Sequence, residues 1–452
     1  MRNYIFRKFT PALLTALALA LALPASLPAA DQSDELKLLR DQLRALEQKL
    51  LVLERKQEIQ DERVAITDKG YTFSSADATN SLRVRGLVQL DSRLFFNDGG
   101  SAVNNGFVLR RARTILEGTF GKIYSFQLVP EFGGSSVSIL DANLGIAFSK
   151  GFQLRAGKFK SPVGLEQLQS DAWALFAERS LVTNLVPNRD LGITAGGDLF
   201  NGTVNYTVGA FNGVADGANT TNTDFDNEKD FVARILVTPF RNRIDSPLQG
   251  LSLGVAASLG REKTAAALTS GYRSDGQQTF FRYRTTALAD GQSWRVAPQA
   301  SYYNGSFGAL AEYVVSTVNV RPGATGAKTE LQNKAWQLAT GYVLTGEPAS
   351  YTGVVPANSF SVANNTWGAF EVVARYARFD VDDAAFPLFA DPAASATETK
   401  SFGLGLNWYL SKSVRATVDY FQTSFDTGGV TPSAAVLRQD EKALITRLQL
   451  SF

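Results

Sequence analysis

The sequence predicts an all-β fold: a transmembrane antiparallel β-barrel of sixteen strands, with eighteen as the alternative, preceded by an N-terminal α-helical coiled coil. Three observations carry that prediction. Residues 443–452 alternate to the end, with Leu444, Leu448, Leu450 and Phe452 on one face and Arg447, Gln449 and Ser451 on the other. The same alternation recurs along most of the chain after residue 70, and period two is strand geometry because successive side chains point to opposite faces. Between residues 35 and 63, by contrast, leucines recur at alternating spacings of three and four, which is a heptad seam.

Taken from the start, residues 1–30 read as a secretory signal. Arg2, Arg7 and Lys8 precede an Ala/Leu run over residues 12–23, and small residues Ala25, Ser26, Ala29 and Ala30 follow. That run is too short to span a bilayer, and nothing later approaches the roughly 20 apolar residues of a membrane helix. The chain has no Cys and no His. Disulfides and Cys-linked lipid anchors are therefore excluded, as are His triads, His metal ligands and His general bases. No nucleophile has a recognisable base partner, so the chain is not expected to be an enzyme, and neither a cofactor nor a metal is expected. The acidic clusters Asp224 with Asp226, and Asp380 with Asp382 and Asp383, read as solvated loops. Gly-x-Gly patterns such as Gly403-Leu404-Gly405 lie within alternating strands, which argues against a dinucleotide site.

Residues 31–66 form the expected coiled-coil helix. Leu36, Leu39, Leu43, Leu46, Leu50 and Leu53 occupy every a and d position, and polar Gln57 and Gln60 weaken the seam toward its end. Leu at all these positions does not choose between dimer, trimer and tetramer, and a single helix packing on the barrel remains the alternative. Residues 67–81 read as a linker.

The barrel is expected over residues 82–452. Leu82, Val84, Val88, Leu90, Leu94 and Phe96 alternate with Arg83, Arg85, Gln89, Asp91 and Arg93, and later stretches repeat the pattern at roughly ten residues each. That length lets a tilted strand cross the hydrocarbon layer. The polar face suits a water-filled lumen, and 30 Phe and 14 Tyr suit an apolar belt with interfacial girdles. Residues 97–105, 215–227, 351–365, 382–399 and 427–433 read as outer loops, whereas 118–123 and 410–414 read as tight turns. Residues 161–190 are too mixed for a strand pair, and either fold into the barrel or form a surface loop.

The candidate functional residues are bases. Arg83, Arg85 and Arg93 share one face of the first barrel strand, and Arg110, Arg111 and Arg113 follow, with Arg111 and Arg113 on one face and Arg110 on the other. Arg155, Lys158 and Lys160 come next. Guanidinium groups on the water side would concentrate anions, and their planar fork suits phosphate. The competing reading pairs them with Asp91, Glu117, Glu131 and Asp141, which the same parity turns inward. Bulk charge does not decide between the two. The chain is +2 overall, with three bases in the signal and seven bases against nine acids over residues 31–66, so the barrel is almost neutral.

Several pieces, in order, resemble the bacterial phosphate-selective porin O and P family over residues 82–452. They are Leu109-Arg110-Arg111-Ala112-Arg113 leading to Glu117-Gly118-Thr119; the run from Gly157-Lys158-Phe159-Lys160 to Glu166; Glu178-Arg179-Ser180-Leu181; the run from Tyr342 to Pro348; and Leu406-Asn407-Trp408-Tyr409. The resemblance implies a homotrimer of sixteen-stranded barrels with an arginine ladder, a central anion site and a folded-in loop at the constriction. Arg110 and Arg111 match the family's paired arginines, and Arg179 matches the arginine of its Glu-Arg pair. Arg234 and Arg261 are similar to later ladder members. Leu87 departs from the pattern, standing where phosphate-selective members carry an arginine.

The expectation is an anion-preferring porin of the bacterial outer membrane, with its coiled coil in the periplasm. Its partners would be outer-membrane lipid and lipopolysaccharide, inorganic anions such as phosphate, and the barrel-assembly machinery reading the strand that ends in Phe452. No nucleic-acid partner is expected. The alternatives are a general porin for small solutes, and a structural barrel whose coiled coil tethers the membrane to the cell wall.

Overall fold

In a computed structural model, residues 31–60, 63–67, 70–96, 104–224, 226–268, 271–428 and 440–452 are described. The expected signal lies outside them, as do 97–103 and 429–433 of two expected outer loops. The chain divides into two units, residues 1–62 and 63–452. In the first, an uninterrupted helix α1 spans Asp31–Gln60. Its residues 36–54, the six seam leucines among them, are exposed on every side.

Helix α1 stops six residues short of the expected boundary at 66. Beyond the polar Gln57 and Gln60 the chain becomes β-branched and alternating, and β1 (Arg63–Thr67) pairs with β2 (Gly70–Ser74). β2 pairs in turn with Ser81–Val84 of β3 (Ser81–Phe95). Part of the expected linker is therefore strand. Gly70 permits this join: its φ is +100°, and a Cβ there would lie 2.4 Å from the Val84 carbonyl oxygen.

Sixteen strands close the barrel, and β1 and β2 extend its sheet as a hairpin on β3. After β3 come β4 (Gly106–Phe120), β5 (Tyr124–Glu131), β6 (Ser138–Ser149), β7 (Phe152–Lys160), β8 (Arg189–Leu199), β9 (Val204–Phe211), β10 (Asp230–Val237) and β11 (Leu251–Ala267). A small hairpin, β12 (Tyr272–Arg273) with β13 (Thr279–Phe281), forms a separate sheet. The barrel continues with β14 (Ala287–Asn304), β15 (Phe307–Pro322), β16 (Thr329–Val343), β17 (Ala369–Asp380), β18 (Glu398–Tyr409), β19 (Val414–Asp426) and β20 (Glu441–Ser451). All neighbours are antiparallel, and β20 closes on β3 from Ala443 opposite Phe95 to Ser451 opposite Leu87. Closure removes both sheet edges, as the hydrocarbon phase demands of any strand structure.

Phe452 completes the seam. Its backbone exchanges hydrogen bonds with Gly86 at 2.9 and 3.1 Å, and its ring meets Tyr71 edge-on at 6.0 Å. The ring lies over Gly86, where a Cβ would approach it to 2.6 Å.

Alternation sorts the side chains as expected. Leu90, Leu94, Leu404 and Leu448 are exposed on the outside, while Gln89, Asp91, Gln449 and Arg447 are buried on the inside. Strand parity places the two-residue turns 150–151 and 305–306 at one end of the barrel. Residues 344–368 connect β16 to β17 at that same end, so the expected outer loop 351–365 lies with the short turns. Loop composition suggests the opposite side, but in an antiparallel barrel the number of preceding strands decides the side.

Candidate functional site

The inward face of the barrel is polar, yet much of it faces protein. Residues 161–188, between β7 and β8, fold into the lumen, with a short helix at Leu165–Leu168 and a 3-10 turn at Leu181–Leu185. The far wall receives this segment's backbone. Glu312 accepts from Leu165 N (2.6 Å) and Asp419 from Ala177 N (2.7 Å), while Asn407 donates to Leu175 O (2.8 Å), Arg415 to Ala174 O (2.9 Å) and Gln449 to Ala172 O (3.0 Å). A backbone taken from water must have such partners, and the alternating polar residues of β15, β18, β19 and β20 supply them. Phe176 seals the contact against Phe421, with ring centroids 5.6 Å apart. From the short-turn end, Tyr351 donates to Leu165 O at 2.6 Å, and its own carbonyl accepts from Gln169 at 2.8 Å. Tyr272, Phe280 and Phe281 of the β12–β13 hairpin pack with Leu181 and Phe379 in one buried apolar cluster.

Two cavities run along the β3–β10 wall. The one toward the short turns has a volume of about 600 Å³ and is lined by Arg83, Glu117, Arg155, Lys160, Thr194, Thr207 and Arg234, among others. The one toward the long loops has about 500 Å³ and is lined by Arg110, Arg111, Arg113, Asp171, Glu178, Arg179 and Arg189, among others. Between them Lys160 donates to the carbonyls of Gln167 (2.6 Å) and Gln169 (2.9 Å), and the Gln167 amide donates to Asn188.

Most of the expected bases face this pathway, but those toward the long loops are neutralised. Arg93 and Arg110 bind Glu178 at 2.7 and 2.5 Å. Arg111 reaches Asp171 at 3.2 Å and Gln89 at 2.7 Å, and Arg113 binds both Glu131 (2.6 Å) and Asp171. Arg179 binds Asp171 and the carbonyl of Gln169 (2.7 Å). At the other mouth Arg83 and Arg85 share Glu117 at 3.3 and 3.0 Å. Arg447 pairs with Asp91 at 2.6 Å, and Arg189 with Asp141 at 3.3 Å. Each of the four acids singled out as inward partners thus holds at least one guanidinium. Burial alone would raise the carboxyls of Asp171 and Glu178, which lie on the folded-in segment. The guanidiniums of Arg111, Arg179 and Arg113 around the first, and of Arg110 and Arg447 around the second, outweigh it and hold both well below the usual carboxylate range.

Arg155 and Arg234 differ. Arg155 donates to Asn143 (2.9 Å) and Gln127 (3.1 Å) and lies over the Phe159 ring, and Arg234 donates to Gln299 (3.1 Å) and Asn205 (3.4 Å). Among the described residues neither has a carboxylate within ion-pair distance, and the same holds for Lys160.

Three expectations need correction. Strict alternation put Arg110 opposite Arg111, but the β3–β4 register slips at this point: Gln89 pairs with Arg111 and Leu90 with Leu109. The extra residue is Arg110, and a bulge re-aims its side chain inward to Glu178. Arg261 is exposed and shares its parity with the outward Leu259, while the buried Ser258 faces in, so it is not a lumen residue. Lys158 donates to Thr220 O (3.3 Å) and Asn222 (2.8 Å), holding the 212–229 loop rather than lining either cavity. Sequence reasoning missed Asp171, Glu312, Arg375 and Asp419. Parity would have turned the three strand residues inward, whereas Asp171 sits in a stretch without periodicity. Among the described residues no group of three or more carboxylates is placed to hold a metal ion.

The family model for phosphate-selective porin O and P matches residues 82–452. Porin O of Pseudomonas aeruginosa is 24% identical over 417 residues, covering 85% of this chain and 92% of that protein. Among solved structures, the outer membrane channel DcaP of Acinetobacter baumannii superposes with a TM-score of 0.54 at 13% identity, covering 84% of this chain and 99% of that one. Outer-membrane expressed OmpT of Vibrio cholerae gives 0.51 at 10% identity, covering 86% and 100%. These two likenesses concern the fold.

Proposed function

As a member of the phosphate-selective porin O and P family, the chain is an outer-membrane porin, and we propose that it prefers anions and passes phosphate or polyphosphate by diffusion past Arg155, Lys160 and Arg234. The observation that carries this reading is the cavity of about 600 Å³ lined by these three bases, none of which has a carboxylate of the described residues in ion-pair contact. Thr194 stands opposite Arg155 and Thr207 opposite Arg234, adding hydroxyl donors to the same wall. An oxyanion entering there finds donors whose charge is not already cancelled. Leu87 is inward and buried, so this position adds no guanidinium to the wall, which favours a graded preference over high phosphate specificity. In a planar bilayer under a KCl gradient, the reversal potential is expected to report anion selectivity, with added phosphate reducing the chloride current. Cation selectivity without phosphate block would refute the reading.

We further propose that the leucine seam of α1 forms a periplasmic coiled coil between copies of the chain; the seam does not fix their number, and the homotrimer is what the family resemblance implies. Deleting residues 31–60 is expected to lower the trimer fraction on mild-detergent gels while single-channel conductance persists. Intact trimers together with loss of envelope attachment would instead identify the helix as a cell-wall tether.

A further inference from the structure

We propose that Asp171 is a tethered counter-anion: it occupies an oxyanion site built by Arg111, Arg113 and Arg179, and thereby sets how tightly the channel holds a permeating oxyanion. The inference rests on the anion-porin reading above and concerns the outer of the two cavities. Arg111 (3.2 Å) and Arg179 address one carboxylate oxygen, while Arg113 addresses the other. Three guanidinium forks from the wall and the folded-in segment thus converge on one small buried acid. A fork of this shape does not distinguish carboxylate from phosphate oxygens, so the geometry that holds Asp171 is also the geometry of a phosphate site.

Two features make the carboxylate separable from the architecture around it. The Asp171 main chain is held independently, because its carbonyl accepts from Gln89 at 3.0 Å and the next carbonyl, of Ala172, accepts from Gln449. The site is also reachable, since all four residues line the outer cavity of about 500 Å³. Three bases share this acid, and among the described residues only Arg113 has a second one, Glu131. With the carboxylate gone, the guanidiniums would stand desolvated and under-paired, and a mobile oxyanion is the group that satisfies them. With it present, a passing anion is attracted but not trapped, and a pore conducts only when its ligand leaves readily.

The test uses the full-length barrel in planar bilayers, with inorganic phosphate titrated into KCl. Asp171→Asn is expected to lower the half-blocking phosphate concentration by roughly tenfold or more, as one neutralised charge-assisted contact implies. An unchanged or higher concentration would overturn the proposal. A second variant, Asp171→Asn with Arg189→Gln, keeps the net charge lining the cavity while removing the carboxylate and leaving Arg111, Arg113 and Arg179 in place. Phosphate must block that channel more tightly than wild type as well; block no tighter than wild type would mean that net charge alone acts, and the proposal falls. The pair also decides the matter if Asp171→Asn alone does not insert. A cation-selective wild type whose Asp171→Asn form gains tight block would refute the anion-porin reading alone. An anion-selective wild type with no gain would refute this one alone.

Discussion

Replacing Glu178 with Gln is expected to widen the channel and destabilise the barrel interior together. One carboxylate, almost wholly buried, holds Arg110 at 2.5 Å, Arg93 at 2.7 Å and Arg447 at 3.5 Å. It therefore pins the folded-in segment to β3, β4 and β20 simultaneously. Breaking a buried ion pair by removing one partner costs about 3–5 kcal/mol, because the remaining charge is left uncompensated. Here the amide keeps the shape but leaves three guanidiniums short of their counter-charge. The variant should show higher single-channel conductance and a lower temperature for conversion of folded to unfolded barrel on gels. Unchanged conductance and unchanged melting would show that the backbone anchors alone hold the segment. The direction with pH follows from the same carboxyl. Its native value lies well below the unfolded one, so its stabilisation is complete above the ordinary Glu range near ~4.3 and is lost as pH falls through the native value. The contribution of Glu178 to holding the segment should accordingly persist down to about pH 4.5 and be lost only in stronger acid, a difference read by comparing wild type with Glu178→Gln across that range.

The double variant Arg155→Gln, Arg234→Gln should abolish most of the anion preference while leaving the barrel intact. Both side chains lie on the wall of the cavity toward the short turns and, among the described residues, hydrogen-bond only to amides, so glutamine retains hydrogen-bonding capacity without the charge. A unit charge 4 Å from a permeating ion is worth about 1 kcal/mol in water and more near protein. Losing two such charges should reduce the anion-to-cation permeability ratio by roughly tenfold or more. The check is the reversal potential under a KCl gradient, which should move toward zero. A reversal potential unmoved by the pair would place selectivity at the outer cavity, whose guanidiniums are already balanced by Asp171, Glu178 and Glu131. Comparing the two variants separates gating from selection, since Glu178 acts on the segment and Arg155 and Arg234 act on the ion.

How far the primary sequence discloses this molecule depends on the kind of signal each residue carries. Strand alternation is a local property imposed by lipid on one side. Outer Leu90 and inner Asp91, or outer Leu448 and inner Arg447, could therefore be assigned correctly before any partner was known. The inward turn of Arg83, Arg113, Glu117 and Glu131 follows from the same parity, whereas the choice of sixteen strands over eighteen comes from the family resemblance and the choice of paired over free bases stays open in the sequence. Parity fails where the ladder itself slips. The bulge at Arg110 moved a side chain across the sheet, and no residue type marks that position. The side occupied by 351–365 also needed the full strand order, because loop composition is similar at both ends.

The interior was decided by tertiary structure. Alternation records that a side chain points away from lipid, but not what it points toward. Water, a carboxylate and a backbone carbonyl all satisfy a guanidinium. A lumen read as water-lined thus proved, along β15, β18, β19 and β20, to be the docking surface for residues 161–188. Asp171 and Glu178 belong to that segment, where no periodicity exists to read. They meet their arginines only because a connection more than twenty residues long folds back through the barrel. The composition of the wall is local and visible in the chain; which of its charges remain free depends on contacts between residues far apart in sequence, and only the folded lumen brings those together.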